Sequence, residues 1–220
     1  MRFDFLTLFP EICEVFLTKS IIGRAEKKGL VEFYYHHIRD YAFDKHKRVD
    51  DTPYGGGKGM LMIAEPIAAC FENICSKIEK RPKLIYMSPR GKILNQEKAK
   101  KLSKLSNIAI LCGRYEGIDQ RFIDAFVDEE ISIGNYVVTG GELPGLILAD
   151  SIIRLLPGVL SSEICYEDES HFDGKTLEYP QYTKPAIWRG RSVPEVLLSG
   201  HHANILEWKN SMKKNIHIDD

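Results

Sequence analysis

Phe3, Phe5 and Thr7 alternate with Asp4 and Leu6 before Pro10 breaks the run, which is the period of a first strand. Ile12, Val15, Phe16, Ile21 and Ile22 then recur at helical spacing, and residues 31–36, aromatic and β-branched, read as a second strand. Over residues 64–78 the apolar side chains Ile67, Ala68, Phe71 and Ile74 fall on one helical face. Residues 84–87 predict a strand with an exit turn at 88–91, and Asn95 is placed to cap a short helix over 96–105. A buried strand at 108–111, a helix at 119–126, a strand at 131–133 and an apolar helix over 143–156 complete the pattern, closed by Pro157-Gly158. Strands alternating with helices of this length predict an α/β fold whose sheet is mainly parallel and covered by helices on both faces. Ligands of such sheets sit beyond the carboxyl ends of the strands.

Three loops interrupt this pattern. Residues 39–59 are polar, then charged, then glycine-rich, and a loop this long in a compact domain is usually functional or mobile. Residues 111–119 (LCGRYEGID) follow an apolar strand, and so do residues 132–144 (SIGNYVVTGGELP), which pass through Gly140-Gly141 and enter a helix whose first turn suits Pro144. A lone Gly-Gly marks an ordinary strand–turn–helix connection. Two such loops at corresponding strand ends can wall one pocket, with glycines at φ > 0 where backbone must lie close to a ligand. On that reasoning Gly141→Val should abolish ligand binding.

Residues 161–175 are polar and acidic and read as a linker. Beyond them, 193–198 and 203–212 predict a small helical domain. At about 45 residues it would be marginal alone, so it should lean on the main domain or on a partner chain. The division is therefore 1–160, 161–175 and 176–220, without an internal repeat.

Composition narrows the classes. The chain has 220 residues, 44% of them hydrophobic, which is enough for a sizeable core and argues against wholesale disorder. No apolar run approaches the roughly 20 residues that span a bilayer, and Asp4 stands where a signal peptide would be apolar, so the expectation is a cytoplasmic protein with no membrane partner. Five scattered cysteines form no Cys-x-x-Cys pair and seven histidines no His-Glu-x-x-His, so neither a disulfide frame nor a zinc site is expected. A net charge of −1 excludes a uniformly basic nucleic-acid binder, yet residues 45–48 (KHKR), Arg189 with Arg191, and Lys209 with Lys213 and Lys214 can each touch phosphates or simply face solvent. Familiar nucleotide fingerprints fail. The run 55–59 (GGGKG) has no Ser or Thr after the lysine and follows no strand, and no Gly-x-Gly-x-x-Gly opens the first helix.

The two loops at 111–119 and 132–144, with residues 51–60 (DTPYGGGKGM) and 197–202 (LLSGHH), resemble in order and spacing the bacterial tRNA (guanine-N1-)-methyltransferases, knotted methyltransferases that use S-adenosylmethionine. The resemblance runs from Phe3 to about Trp208. It implies a trefoil knot at the carboxyl end of the α/β domain, a tRNA-binding role for residues 176–220, and a homodimer with sites shared between chains. For the cofactor it implies Ser88, Pro89, Gly113, Glu116, Gly117, Ser132, Ile133, Gly134, Asn135, Tyr136, Val137, Val138, Gly140, Gly141 and Pro144. Tyr86 and Tyr115 are core or wall. For the anticodon stem-loop of tRNA it implies Asp51, Tyr54, Gly55, Gly56, Gly57, Gly59, Lys184, Ser199, Gly200 and His201. Lys184 stands where other members carry Arg, keeping the charge without the planar fork.

Methylation at N1 of guanine 37 requires a base, because that nitrogen carries a proton at neutral pH. The family's aspartate precedes a Ser-Phe pair, whereas residues 167–172 read EDESHF, so either Asp168 or Glu169 is the base. Arg154 matches the arginine that stabilises the guanine anion. The resemblance also implies that Mg2+ assists, while no dedicated carboxylate cage is visible in the sequence. Rival readings are a ribose 2′-oxygen or ribosomal RNA methyltransferase, a non-catalytic RNA binder, and a metabolite enzyme without RNA. The first predicts no acidic pair, the second needs no intact cofactor loops, and the third leaves the basic loop unexplained.

Overall fold

The computed structural model describes residues 1–160 and 169–215. Five strands, β1 (Arg2–Thr7), β2 (Glu32–His37), β5 (Lys83–Ile93), β6 (Asn107–Cys112) and β7 (Glu129–Ser132), form one parallel sheet in the order β2-β1-β6-β5-β7. β1 and β6 are buried along almost their whole length, as strands covered on both faces must be. Their side chains alternate between two cores. Phe3, Phe5, Ile108, Ile110, Ile85 and Met87 pack beneath α1 (Pro10–Leu17), α2 (Ser20–Lys27) and α6 (Glu142–Ile153). Leu6, Leu84, Tyr86, Ala109 and Leu111 pack beneath α3 (Ala64–Ser76) and α5 (Gln120–Phe126). The α/β reading therefore stands, with helices on both faces. Between β5 and β6 lies α4 (Gln96–Leu102), where the Asn95 side chain accepts from the Lys98 amide at 2.9 Å.

Two local expectations are corrected. β5 does not leave the sheet at residue 88. It runs on to Ile93 through a bulge, with Met87 and Lys92 both opposite Ile131, because β7 pairs with both arms of the strand. Residues 88–91 are the unpaired bulge, and Gly91 packs against β7 so closely that a Cβ there would stand 2.5 Å from the Glu130 carbonyl carbon. The long loop also holds more order than its sequence shows: β3 (Asp50–Asp51) pairs antiparallel with β4 (Leu61–Met62), so the glycine-rich stretch is the tip of a hairpin.

The chain divides into two compact units, Met1–Ser161 and Ser162–Asp220. In the described part of the second, helices Glu195–Leu198 and His202–Met212 are present where helix was expected. Two short antiparallel pairs accompany them, Ile187–Trp188 with Arg191–Ser192 and Thr176–Leu177 with Lys214–Asn215. Arg189 and Gly190 both take positive φ, 50° and 77°, which is what a two-residue hairpin turn requires. Trp208 lies between Tyr179 and Tyr182, at 6.5 and 6.3 Å between ring centroids.

Cys13, Cys70 and Cys112 are buried free thiols and Cys75 is half-buried. Among the described residues no helix is long and apolar enough to cross a membrane.

Candidate functional site

The bulge of β5 and the carboxyl ends of β6 and β7 meet at one cleft of about 490 Å³. That volume suits a nucleoside-sized ligand. Of the residues proposed for the cofactor, Tyr86, Ser88, Pro89, Gly113, Tyr115, Glu116, Gly117, Ser132, Ile133, Tyr136, Val137, Val138, Gly140, Gly141 and Pro144 all line it. Gly134 and Asn135 do not. Gly134 instead shapes the turn: its amide and carbonyl both bond the Ser132 hydroxyl, at 3.2 and 2.9 Å.

The walls are close-fitted. Gly141 has φ of −81°, not the positive angle expected of it. What demands glycine there is proximity, since a Cβ would stand 2.6 Å from the Cys112 Cα and the Gly141 amide donates to the Gly113 carbonyl at 2.8 Å. Tyr86 forms the floor, its ring filling the space that a side chain at residue 113 would need. Burial, then the charge of Glu130, pushes its phenol up to about 12, so the hydroxyl stays a neutral donor. Tyr115, at φ 60°, is half-exposed, and its hydroxyl meets Asp50 and Arg39. Tyr86 is thus core and wall at once, Tyr115 a rim residue.

Sequence reasoning missed several lining residues, Arg90, Arg114, Gln120 and Glu130 among them. Arg114 lay inside a motif already singled out. Glu130 gave no signal, because its place beside the β5 bulge depends on strand pairing. One of its carboxylate oxygens is buried without a hydrogen-bond partner.

Of the residues assigned to tRNA, Tyr54 is fully exposed and nothing stands within 4 Å of a Cβ built on Gly55 or Gly56; for Gly57 a Pro53 side-chain carbon lies at 3.8 Å. Gly59 is different: it has φ of 79° and presses on Glu116 of the cleft, with a Cβ position 2.4 Å from that side chain. The Asp51 carboxylate accepts from the Thr52 amide at 2.7 Å. Lys184, Ser199, Gly200 and His201 lie exposed in the second unit, where the Ser199 hydroxyl accepts from the His201 amide at 3.1 Å.

Arg154 sits just past the last turn of α6, while the cleft is at the first. Twelve residues at about 1.5 Å each put it roughly 18 Å away along the axis, so one chain does not bring it to the cleft. Glu169 belongs to the second unit and Asp168 lies outside the described residues. Among the described residues no group of three or more His, Cys, Asp or Glu side chains gathers to hold a metal.

A parallel sheet with a glycine-walled cleft at its carboxyl side defines an α/β protein whose cleft lies where ligands of such sheets bind. The model of the family tRNA (Guanine-1)-methyltransferase TrmD matches residues 1–217, and the chain belongs to that family. It is 58% identical over 209 residues to the tRNA (guanine-N(1)-)-methyltransferase of Ruminiclostridium cellulolyticum, covering 95% of this chain and 89% of the relative. The corresponding protein of Clostridioides difficile is 51% identical over 210 residues, at 95% and 90% coverage. Among solved structures, the tRNA (m1G37) methyltransferase of Aquifex aeolicus superposes with a TM-score of 0.80 at 40% identity, over 95% of this chain and 87% of that one.

Proposed function

We propose that this protein transfers a methyl group from S-adenosylmethionine to N1 of guanine 37 in the anticodon stem-loop of tRNA. The observation that carries the reading is the convergence of the β5 bulge and the loops after β6 and β7 on one cleft, in a chain of this family. The cleft fits the cofactor on its own terms. Val137 and Val138 offer apolar surface for a purine, the close-set Gly113, Gly140 and Gly141 leave backbone at the wall, and Glu130 has an unspent acceptor. When bound there, S-adenosylmethionine supplies an electrophilic methyl carbon. The chain's own task is to free the N1 lone pair. Asp168 or Glu169 takes the N1 proton, and the Arg154 guanidinium, beside O6, stabilises the negative charge that then spreads over the base. The described residues offer Mg2+ no cage, so no step is assigned to it.

The site is built from two chains. Two features support this: the distance of Arg154 from its own cleft, and an apolar face on the adjacent helices α1 and α6, where Ile12, Val15, Phe16, Leu143 and Ile147 are exposed. A symmetric pair would cover both faces at once and complete two equivalent sites. On this reading the carboxyl end of residues 1–160 is knotted, a reading supported by the return of the chain from edge strand β7 to the Gly141–Gly113 bond beside β6. Residues 1–160 hold the cofactor, 161–175 link, and 176–220 bind tRNA. Exposed Lys184, Arg189 and Arg191 there accompany exposed Tyr182 and Trp188, a basic and aromatic mixture suited to RNA. A cytoplasmic place follows from the substrate.

The test uses purified protein, cofactor labelled in its methyl group, and tRNA transcripts differing only at positions 36 and 37. Label should enter transcripts with guanine at 37 and appear as N1-methylguanosine. Label in ribose, or equal label in a transcript lacking that guanine, refutes the reading.

A further inference from the structure

Arg114, which follows Gly113 at the end of β6, reaches from one wall of the cleft to the other. Its Nη2 lies 2.8 Å from Oε2 of Glu142, its Nη1 donates to the Thr139 carbonyl at 3.5 Å, and its guanidinium carbon stands 4.4 Å from the centroid of the Phe9 ring. Glu142, the first residue of α6, is only 1% exposed. Its other oxygen accepts from the Thr7 hydroxyl at 2.7 Å, and that hydroxyl accepts from the Phe9 amide at 2.9 Å. A continuous polar chain therefore runs from β1 through Glu142 and Arg114 to the cleft rim at Thr139. The Arg114–Glu142 contact is an ion pair without hydrogen-bond alignment, for Oε2 and Arg114 Nε are both buried atoms with no hydrogen-bond partner. Gly140 closes over the guanidinium: a Cβ there would stand 2.4 Å from Nε and 2.5 Å from Cζ.

A buried ion pair of this kind costs desolvation on both sides and often adds nothing to net stability against a neutral replacement. Its value lies elsewhere. The helix N-terminus favours the carboxylate where it is, which fixes the far end of the pair. The guanidinium is planar and rigid, so it converts that fixed point into a set spacing between residues 113–117 and residues 139–142. We propose that Arg114, held by Glu142, is a positioning residue that sets the gap between the two walls of the cleft and thereby the affinity for the adenosyl cofactor. Gly140 is small enough to admit Arg114. The inference rests on reading the cleft as the S-adenosylmethionine site.

The test measures, on the full chain, the affinity for S-adenosylhomocysteine by calorimetry and the melting temperature. Arg114→Met alone strands a buried carboxylate, so it is paired with Glu142→Gln, which leaves two neutral side chains. The double variant should melt near wild type while its dissociation constant rises on the order of 10-fold or more, since small misplacements of a binding wall are costly. Arg114→Lys keeps a charge for Glu142 but loses the fork, and a smaller rise is expected. A folded double variant with wild-type affinity overturns the proposal, because the pair would then be structural only. If the double variant unfolds, the lysine variant decides: unchanged affinity in that folded protein overturns it equally. Wild type that fails to bind S-adenosylhomocysteine takes down the cofactor reading and this proposal with it.

Discussion

At the scale of single residues, what a side chain is for depends on its neighbours more than on its type. Gly141 was expected to need positive φ, but it needs the absence of a Cβ, with the Cys112 backbone 2.6 Å from where that atom would be. Gly141→Ala, harmless to the backbone angle, should therefore already destabilise the protein, on the order of 1–3 kcal/mol, by pushing the loop off β6. Chemical denaturation measures this, and an alanine variant as stable as wild type would show that the approach is not tight. Asp168→Asn and Glu169→Gln, made separately, should both fold and bind cofactor. Only loss of the true base should lower methyl transfer, by on the order of 10²-fold, and remove the rise of activity with pH. Near-normal turnover in the double variant would mean that the proton leaves by another route. A third carboxylate has a plainer signature. Asp173 accepts from the Thr176 hydroxyl and from the amides of Lys175 and Thr176, which hold it down to about 2 from an ordinary 3.8. Its contribution to the turn is thus complete above about pH 4 and lost as pH falls through about 2. The Asp173 carboxyl resonance followed by NMR should titrate there, and a midpoint near 4 would contradict these hydrogen bonds.

Among the elements, helices were easier to read than the strand that builds the site. The helix over 96–102 carries its own signal, a cap at Asn95, and Asn95→Ala should cost about 1 kcal/mol without touching the cleft. A denaturation midpoint unmoved by that change would remove the cap from the account. β5 carried no such signal for its second half. Ser88-Pro89-Arg90-Gly91 reads as an exit turn, and only β7, laid along both arms of the strand, turns it into a bulge that lines the cleft. The hairpin at Arg189-Gly190 was hidden for a related reason: arginine at φ 50° is not a turn that composition announces.

For the whole molecule the decisive fact is the separation of Arg154 from the cleft by the length of α6. Val15→Glu with Ile147→Glu places charge on the apolar face, at side chains that are 67% and 47% exposed within one chain, so the fold should survive. Sedimentation should then show a monomer, and on the proposed two-chain site methyl transfer should fall steeply because Arg154 no longer meets a cleft. A variant that is monomeric and fully active would refute the shared site.

The sequence by itself determined the strand and helix periods, the parallel sheet and the loops that form the cleft. These are local matters: alternation, apolar runs and paired glycines are written in neighbouring residues. It did not determine which lining residues hold those loops apart. Arg114, Glu142 and Thr7 lie far apart in the chain and meet only when α6 settles on the sheet beside β1. Glu130 reaches the cleft only through the β7 pairing. Long-range packing decides such contacts, and no window of sequence contains both partners.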